Sequence, residues 1–143
     1  MGEFRLVEHT ADISVEVNAH TLQDLFITSA EAYYNVVGTF NDDLHLDEEL
    51  EVNLTSTNIE YLLIEFLGEI NYQLNVKHNF CGKIFSLNLG ENNNGVFLDC
   101  RLGSRKIEAE SDILKEEIKA VTYHNINIGK TDNGLKVTIV FDI

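Results

Sequence analysis

A strict two-residue alternation near the start of the chain limits its fold more than any other feature. Ile13, Val15, Val17 and Ala19 are apolar, and Asp12, Ser14, Glu16 and Asn18 alternate with them. Side chains switch faces along a strand, so this segment reads as a strand with one buried and one solvated face. The end of the chain repeats the pattern through Leu135, Val137, Ile139 and Phe141. Half-buried strands need a cover, and two segments have the spacing to supply it.

Thr21 and Asp24 have capping-box spacing, and Leu22, Leu25, Phe26, Ser29, Tyr33, Val36 and Val37 recur at helical intervals. Gly38 is the expected stop. Thr57 and Glu60 predict a second cap, before a stripe of Ile59, Leu62, Leu63, Phe66, Ile70 and Leu74 with Tyr61 and Tyr72 at its rim. Between the helices, an acidic run from Asn41 to Glu49 reads as a solvated connection, with cation binding as the alternative.

The remaining segments read as strands. Phe4-Arg5-Leu6 is a short first strand with Phe4 and Leu6 inward, and Leu50, Val52 and Leu54 mark a third. Phe80 to Leu89 is a long strand, joined through the turn Asn92-Asn93-Asn94-Gly95, whose Asn-Gly suits the positive φ of a type I′ turn, to a return strand with Val96, Leu98, Cys100 and Leu102 inward. The polar stretch from Gly103 to Glu117 is expected to hold a short strand around Ile107. Ile118 to Ile128 reads as another strand, in which Ile118, Ala120, Ile126 and Ile128 share the apolar face with His124, read as a core histidine. Lys119 falls on the opposite face. Asp132-Asn133-Gly134 makes a second hairpin turn. The expected result is one α+β domain over residues 1–143, a mainly antiparallel β-sheet packed with two α-helices.

Charge narrows the partners. A net charge of −14 repels phosphate backbones, so direct nucleic-acid binding is not expected. It favours basic protein partners and cations. No apolar run reaches membrane-spanning length, and the N-terminus lacks the features of a signal peptide, so the expected location is the cytoplasm. Cys81 and Cys100 are too few for a disulfide scaffold and lack a nearby second cysteine for structural zinc; they read as small buried residues. The five histidines are scattered, Ser104 has no evident base, and neither a phosphate loop nor a nucleophile elbow is present. A self-sufficient enzyme is not read from this chain.

One pair of residues does point to chemistry. Asp12 and Asp142 each occupy the polar side of an alternating strand, at opposite ends of the sequence. If those strands are neighbours, the two carboxylates approach one point, where they repel unless a proton or cation lies between them. Hard cations such as Ca²⁺ take carboxylate and carbonyl oxygens, and Ile143 offers a third ligand through its carbonyl or terminal carboxylate. The alternative is a pair of solvated strand-end aspartates.

Four segments in order, His9-Thr10-Ala11-Asp12, Leu62 to Glu69, Ile118-Lys119-Ala120-Val121-Thr122-Tyr123-His124 and Asp142-Ile143, resemble the archease family across essentially the whole chain. The resemblance implies an accessory protein of the GTP-dependent tRNA-splicing RNA ligase, which joins 2′,3′-cyclic phosphate or 3′-phosphate ends to 5′-hydroxyls. Such a protein promotes guanylylation of the ligase's histidine and multiple turnover. It also implies a metal site, often described as calcium, with Asp12, Asp142 and the Ile143 carbonyl as ligands. Lys119 matches a family position linked to ligase activation. His9 and Thr10 are expected to shape the turn. The chain departs from the family at Phe66, where many members have Trp, and at Gly68, Ser104 and Asp112. Rival readings are a general metal-binding chaperone or adaptor for RNA-processing enzymes, a stand-alone phosphoesterase, and a domain whose calcium only ties the chain ends together.

Overall fold

The structure, a computed structural model, describes residues 2–8 and 11–143. Its elements run β1 (Glu3–Glu8), β2 (Asp12–Ala19), α1 (Leu22–Val37), β3 (Gly38–Thr39), β4 (Glu48–Ser56), α2 (Ile59–Asn75), β5 (Asn79–Asn92), β6 (Gly95–Lys106), β7 (Ile113–Leu114), β8 (Ala120–Val121), β9 (Gly129–Thr131) and β10 (Gly134–Asp142). The class is α+β, as expected, but the strands divide into three antiparallel sheets. One has the order β1-β2-β10-β8 with β9 also on β10, one is β4-β6-β5, and one is the short pair β3-β7.

The two alternating segments are neighbours. β10 pairs antiparallel with β2, setting Val137 opposite Val17, Ile139 opposite Val15 and Phe141 opposite Ile13. All six side chains are buried. Burying each one fully stabilises the fold by roughly 1.5–3 kcal/mol. A slip of one residue would turn one strand's whole set to water, so the core enforces this register.

Both helices contact strands of both large sheets: α1 meets β2, β10 and β5, and α2 meets β8, β4, β5 and β6. Their buried surfaces are therefore broader than one stripe and include Thr28, Ala30 and Ala32 on α1. Thr21 caps α1 by accepting the N–H of Asp24 at 3.1 Å. The cap of α2 is Asn58, not Thr57: its Oδ1 accepts the N–H of Tyr61 at 2.8 Å. Gly38 ends α1, though for a reason other than a left-handed cap. Its backbone is extended (φ 173°), and a Cβ would lie 2.2 Å from the Ile113 carbonyl across the β3-β7 ladder.

Several local expectations fail. Leu6 is 36% exposed, on β1, which is an edge strand of its sheet. The β5-β6 hairpin turns on Asn93-Asn94, with Asn92 Oδ1 accepting the Asn94 N–H at 2.8 Å. Positive φ falls on Gly95 (128°) and not on Asn94, so the turn is not type I′. The short strand expected around Ile107 is absent there; β6 ends at Lys106 and the short strand is Ile113–Leu114. From Ile118 to Ile128 only Ala120–Val121 is strand, and Asn125 adopts a left-handed turn conformation (φ 51°). Ile118 is buried and Ile126 and Ile128 pack half-buried against the core, but Ala120 is exposed, so these residues do not share one strand face. His124 is exposed, with Nε2 3.2 Å from the Asn125 side-chain nitrogen.

Candidate functional site

The enforced β2-β10 register places Asp142 directly opposite Asp12. The next residues outward, Ile143 and Ala11, are joined by a hydrogen bond from Ile143 N–H to the Ala11 carbonyl at 3.4 Å. The aspartates thus occupy the closer, non-hydrogen-bonded kind of cross-strand pair, in which Cβ atoms lie roughly 4.5–5.5 Å apart. Asp12 is half-buried, Asp142 exposed and Ile143 half-buried. His9 and Thr10 lie outside the described residues.

Lys119 reaches this edge through its backbone. Its N–H donates to the Asp142 carbonyl at 2.8 Å, and Thr122 N–H donates to the Val140 carbonyl at 3.0 Å. The Lys119 side chain is exposed, and no ion pair with either aspartate is present among the described residues. The sheet therefore brings Asp12, Asp142, Ile143 and the Lys119 main chain together, and leaves the ammonium group free to turn toward a partner.

Could this edge hold a hard cation? Its donors are all oxygen: two carboxylates side by side, with the Ile143 carbonyl next along the chain. That chemistry fits Ca²⁺ or Mg²⁺ better than a softer metal. Among the described residues no group of three or more His, Cys, Asp or Glu side chains is placed to hold a metal. Two carboxylates supply only part of the six to eight oxygens that Ca²⁺ takes, so water or a partner's groups must complete the shell.

Farther along the same face, Glu16 is paired with Arg5 and lies 3.4 Å from Lys136 Nζ. Hydrogen bonds from Arg5 first and Lys136 second hold its carboxyl below the usual range. Glu16 is thereby neutralised by its neighbours, in contrast to the aspartate pair at the sheet's end.

Behind the edge lies a buried polar network with no counterpart in the expected site. Tyr33 donates to Asn71 Oδ1 at 2.6 Å, and Asn71 Nδ2 donates to the Ile118 carbonyl at 3.0 Å. Asn75 donates to Asn71 Oδ1 at 3.2 Å and to the same Ile118 carbonyl at 3.0 Å. The signal was an asparagine at position 71, spaced four from Leu67 and three from Leu74 on the apolar side of α2, with a second asparagine one turn on.

The cysteines are inert. Burial pushes the Cys81 thiol up to about 11 and the Cys100 thiol up to about 12, so neither is a thiolate nucleophile near neutral pH. Ser104 is fully buried, with no hydrogen-bond partner for its hydroxyl among the described residues. No helix is long and apolar enough to cross a membrane among the described residues.

Comparison with known proteins agrees with this architecture. The Archease protein family (MTH1598/TM1083) matches residues 4–143. Protein archease of Methanosarcina mazei is 31% identical, over 99% of this chain and 96% of its own length. Protein archease of Archaeoglobus fulgidus is 30% identical, over 99% of each chain. The solution structure of Methanobacterium thermoautotrophicum protein 1598 superposes with a TM-score of 0.80 at 26% identity, covering 98% of both chains. A Thermotoga maritima protein described as an archease and possible chaperone shares the fold, with a TM-score of 0.62 at 21% identity over 96% of this chain and 94% of its own. Matched from end to end by sequence and by fold, the chain belongs to the archease family.

Proposed function

We propose that this protein is a non-catalytic activator of the GTP-dependent tRNA-splicing RNA ligase, working through the Asp12/Asp142 edge and a divalent cation, Ca²⁺ being the first choice. The observation that carries the reading is the enforced apposition of Asp142 and Asp12, with Lys119 hydrogen-bonded beside them. The partner is the one that the resemblance to archeases implies. In this reading the edge docks at the ligase's nucleotide site. Asp12, Asp142 and the Ile143 carbonyl would hold the cation, which supplies positive charge for phosphate oxygens when bound. The exposed Lys119 ammonium offsets phosphate charge as the ligase histidine attacks GTP. An acidic protein can serve RNA metabolism this way in the cytoplasm without binding RNA itself.

The test is guanylylation and multiple-turnover ligation by the ligase, with wild-type protein and with Asp12→Asn, Asp142→Asn and Lys119→Ala. The reading requires folded variants that fail to support both steps. Wild-type rates with both asparagine variants would sink it. The Thermotoga protein's description as a possible chaperone favours a second reading, an adaptor that binds RNA-processing enzymes without affecting nucleotidyl transfer. Capture of the ligase with unchanged guanylylation would select that one.

A further inference from the structure

Lys119 and Asp142 belong to different chain segments, and one buried tyrosine touches the approach to both. The Tyr33 ring packs edge-on against Phe141, the residue before Asp142, with centroids 6.0 Å apart at 67°. Its hydroxyl donates to Asn71, which donates to the carbonyl of Ile118, the residue before Lys119. Tyr33 and Ile118 are fully buried and Asn71 nearly so. Only two strand residues, Ala120–Val121, secure the Lys119 segment to β10 by regular pairing. Immediately before them the chain runs without regular structure from Lys115 to Lys119. The Ile118 carbonyl would be an unpaired buried acceptor there without the two asparagine amides, and such a group is costly to leave unmade.

We propose that Asn71, oriented by Tyr33 and joined by Asn75 on the same acceptor, is the positioning residue of this edge: it fixes the Ile118 carbonyl so that Lys119 is presented beside Asp142. The two aspartates need no such device, because strand pairing sets them. Lys119 has little pairing to rely on, and α2 supplies the restraint from inside the core. Burial pushes the Tyr33 phenol far above its usual range, so its hydroxyl keeps its proton and donates near neutral pH. The inference deepens the proposed activator role and rests on it for its functional half; its structural half stands alone.

The experiment measures amide hydrogen exchange by NMR in Asn71→Leu, in the double variant Asn71→Leu/Asn75→Ala that strips both amides from the Ile118 carbonyl, and in Tyr33→Phe, together with ligase guanylylation. Tyr33→Phe keeps the ring on Phe141 and loses only the hydroxyl, so it serves should Asn71→Leu fail to fold. Exchange at the Lys119 amide, whose hydrogen bond to Asp142 reports the presentation, should accelerate by about five- to tenfold. Amides of the β4-β6 ladder should hold their wild-type rates, which a general loss of stability would not allow. Ligase stimulation should fall with the Lys119 protection. Unchanged Lys119 exchange in the double variant, or in Tyr33→Phe should the double variant not fold, overturns the proposal. So does accelerated exchange with full stimulation, provided Asp12→Asn and Asp142→Asn abolish stimulation in the same assay. Should those aspartate variants stimulate normally, the activator reading is what fails, and the exchange rates alone decide whether Asn71 holds the segment.

Discussion

Arg105 holds Asp112 inside the protein through two parallel hydrogen bonds, Nη1 to Oδ2 at 2.7 Å and Nη2 to Oδ1 at 2.8 Å. The carboxylate also accepts the N–H groups of Asn41 at 3.0 Å and Glu108 at 2.8 Å, and the guanidinium donates to the Asn41 carbonyl at 2.9 Å. The Phe80 ring lies 4.9 Å from the guanidinium carbon. One ion pair thus ties the start of the acidic connection to the end of β6 and the turn that follows it. It also gives Asp112 a definite partner.

Breaking that pair from one side leaves a buried charge uncompensated, so Asp112→Asn should lower unfolding stability by about 3–5 kcal/mol. Replacing both residues with Leu should still cost about 2 kcal/mol or more, because the Asn41 and Glu108 N–H groups lose their acceptor. Arg105 first, then the two N–H groups, hold the Asp112 carboxyl well below the usual carboxylate value of about 3.9. A depressed folded-state value contributes stability that is complete above the unfolded value and disappears as pH falls through the folded one. Urea unfolding at pH 7 and at pH 3 should therefore show a smaller acid-induced loss for Asp112→Asn than for wild type. Equal losses would assign the acid sensitivity to other carboxylates.

The cap of α2 separates a sequence motif from its geometry. Thr57 and Glu60 have capping-box spacing, yet Asn58 accepts the Tyr61 N–H, and Glu60 turns away to accept the Ile128 N–H at 3.1 Å. Asn58→Ala should cost about 1 kcal/mol and Thr57→Ala only a few tenths. Chemical denaturation of the two variants checks this, and the reverse ranking would restore the motif reading.

How much could be read without coordinates depended on where each segment's partners lay. The alternations of Ile13–Ala19 and Leu135–Phe141 each encode a buried face, and two such strands placed side by side bring Asp12 to Asp142. That much was legible. The segment after Ile118 was not, because its apolar spacing imitates a strand. Its conformation is set by distant groups, the asparagine amides of α2 on the Ile118 carbonyl and Glu60 on Ile128, and by a left-handed Asn125 within it. Lys119 does reach the aspartate edge, but through its main chain, which side-chain parity cannot report. Leu6 failed for a related reason: period two assigns a face, but it says nothing of how far that face is covered on an edge strand. Asp112 read as loop polarity because nothing in the polar stretch marks Arg105 as the residue that folds back onto it.

Gly38 offers a test of close backbone approach free of left-handed conformation. Its extended φ suits any residue, so Gly38→Ala carries no dihedral penalty there. The added Cβ would meet the Ile113 carbonyl at 2.2 Å, forcing β7 away from β3. The expected cost is about 1–3 kcal/mol, as for other overpacked sites. Faster exchange should be confined to the β3-β7 pair and to Lys115 and Glu116, whose N–H groups bond the Val37 carbonyl. An unaffected melting temperature would show that β7 yields freely.

The cation reading makes the sharpest thermal prediction. Like charges directly across a strand pair destabilise it, so in EDTA the Asp142→Asn variant should melt at or slightly above the wild-type temperature. Adding Ca²⁺ should reverse the order. A ligand that binds only the folded state stabilises by RT ln(1 + [L]/Kd), about 2.7 kcal/mol at one hundred times Kd. That gain should be present in wild type and absent from Asp12→Asn and Asp142→Asn. Glu16→Gln is the control, because Glu16 lies on the same sheet face with its charge already engaged by Arg5 and Lys136. It should keep the Ca²⁺ gain. An equal Ca²⁺ shift in all four proteins would mean that the ion acts through general screening of the −14 net charge, and that the aspartate pair holds no cation of its own.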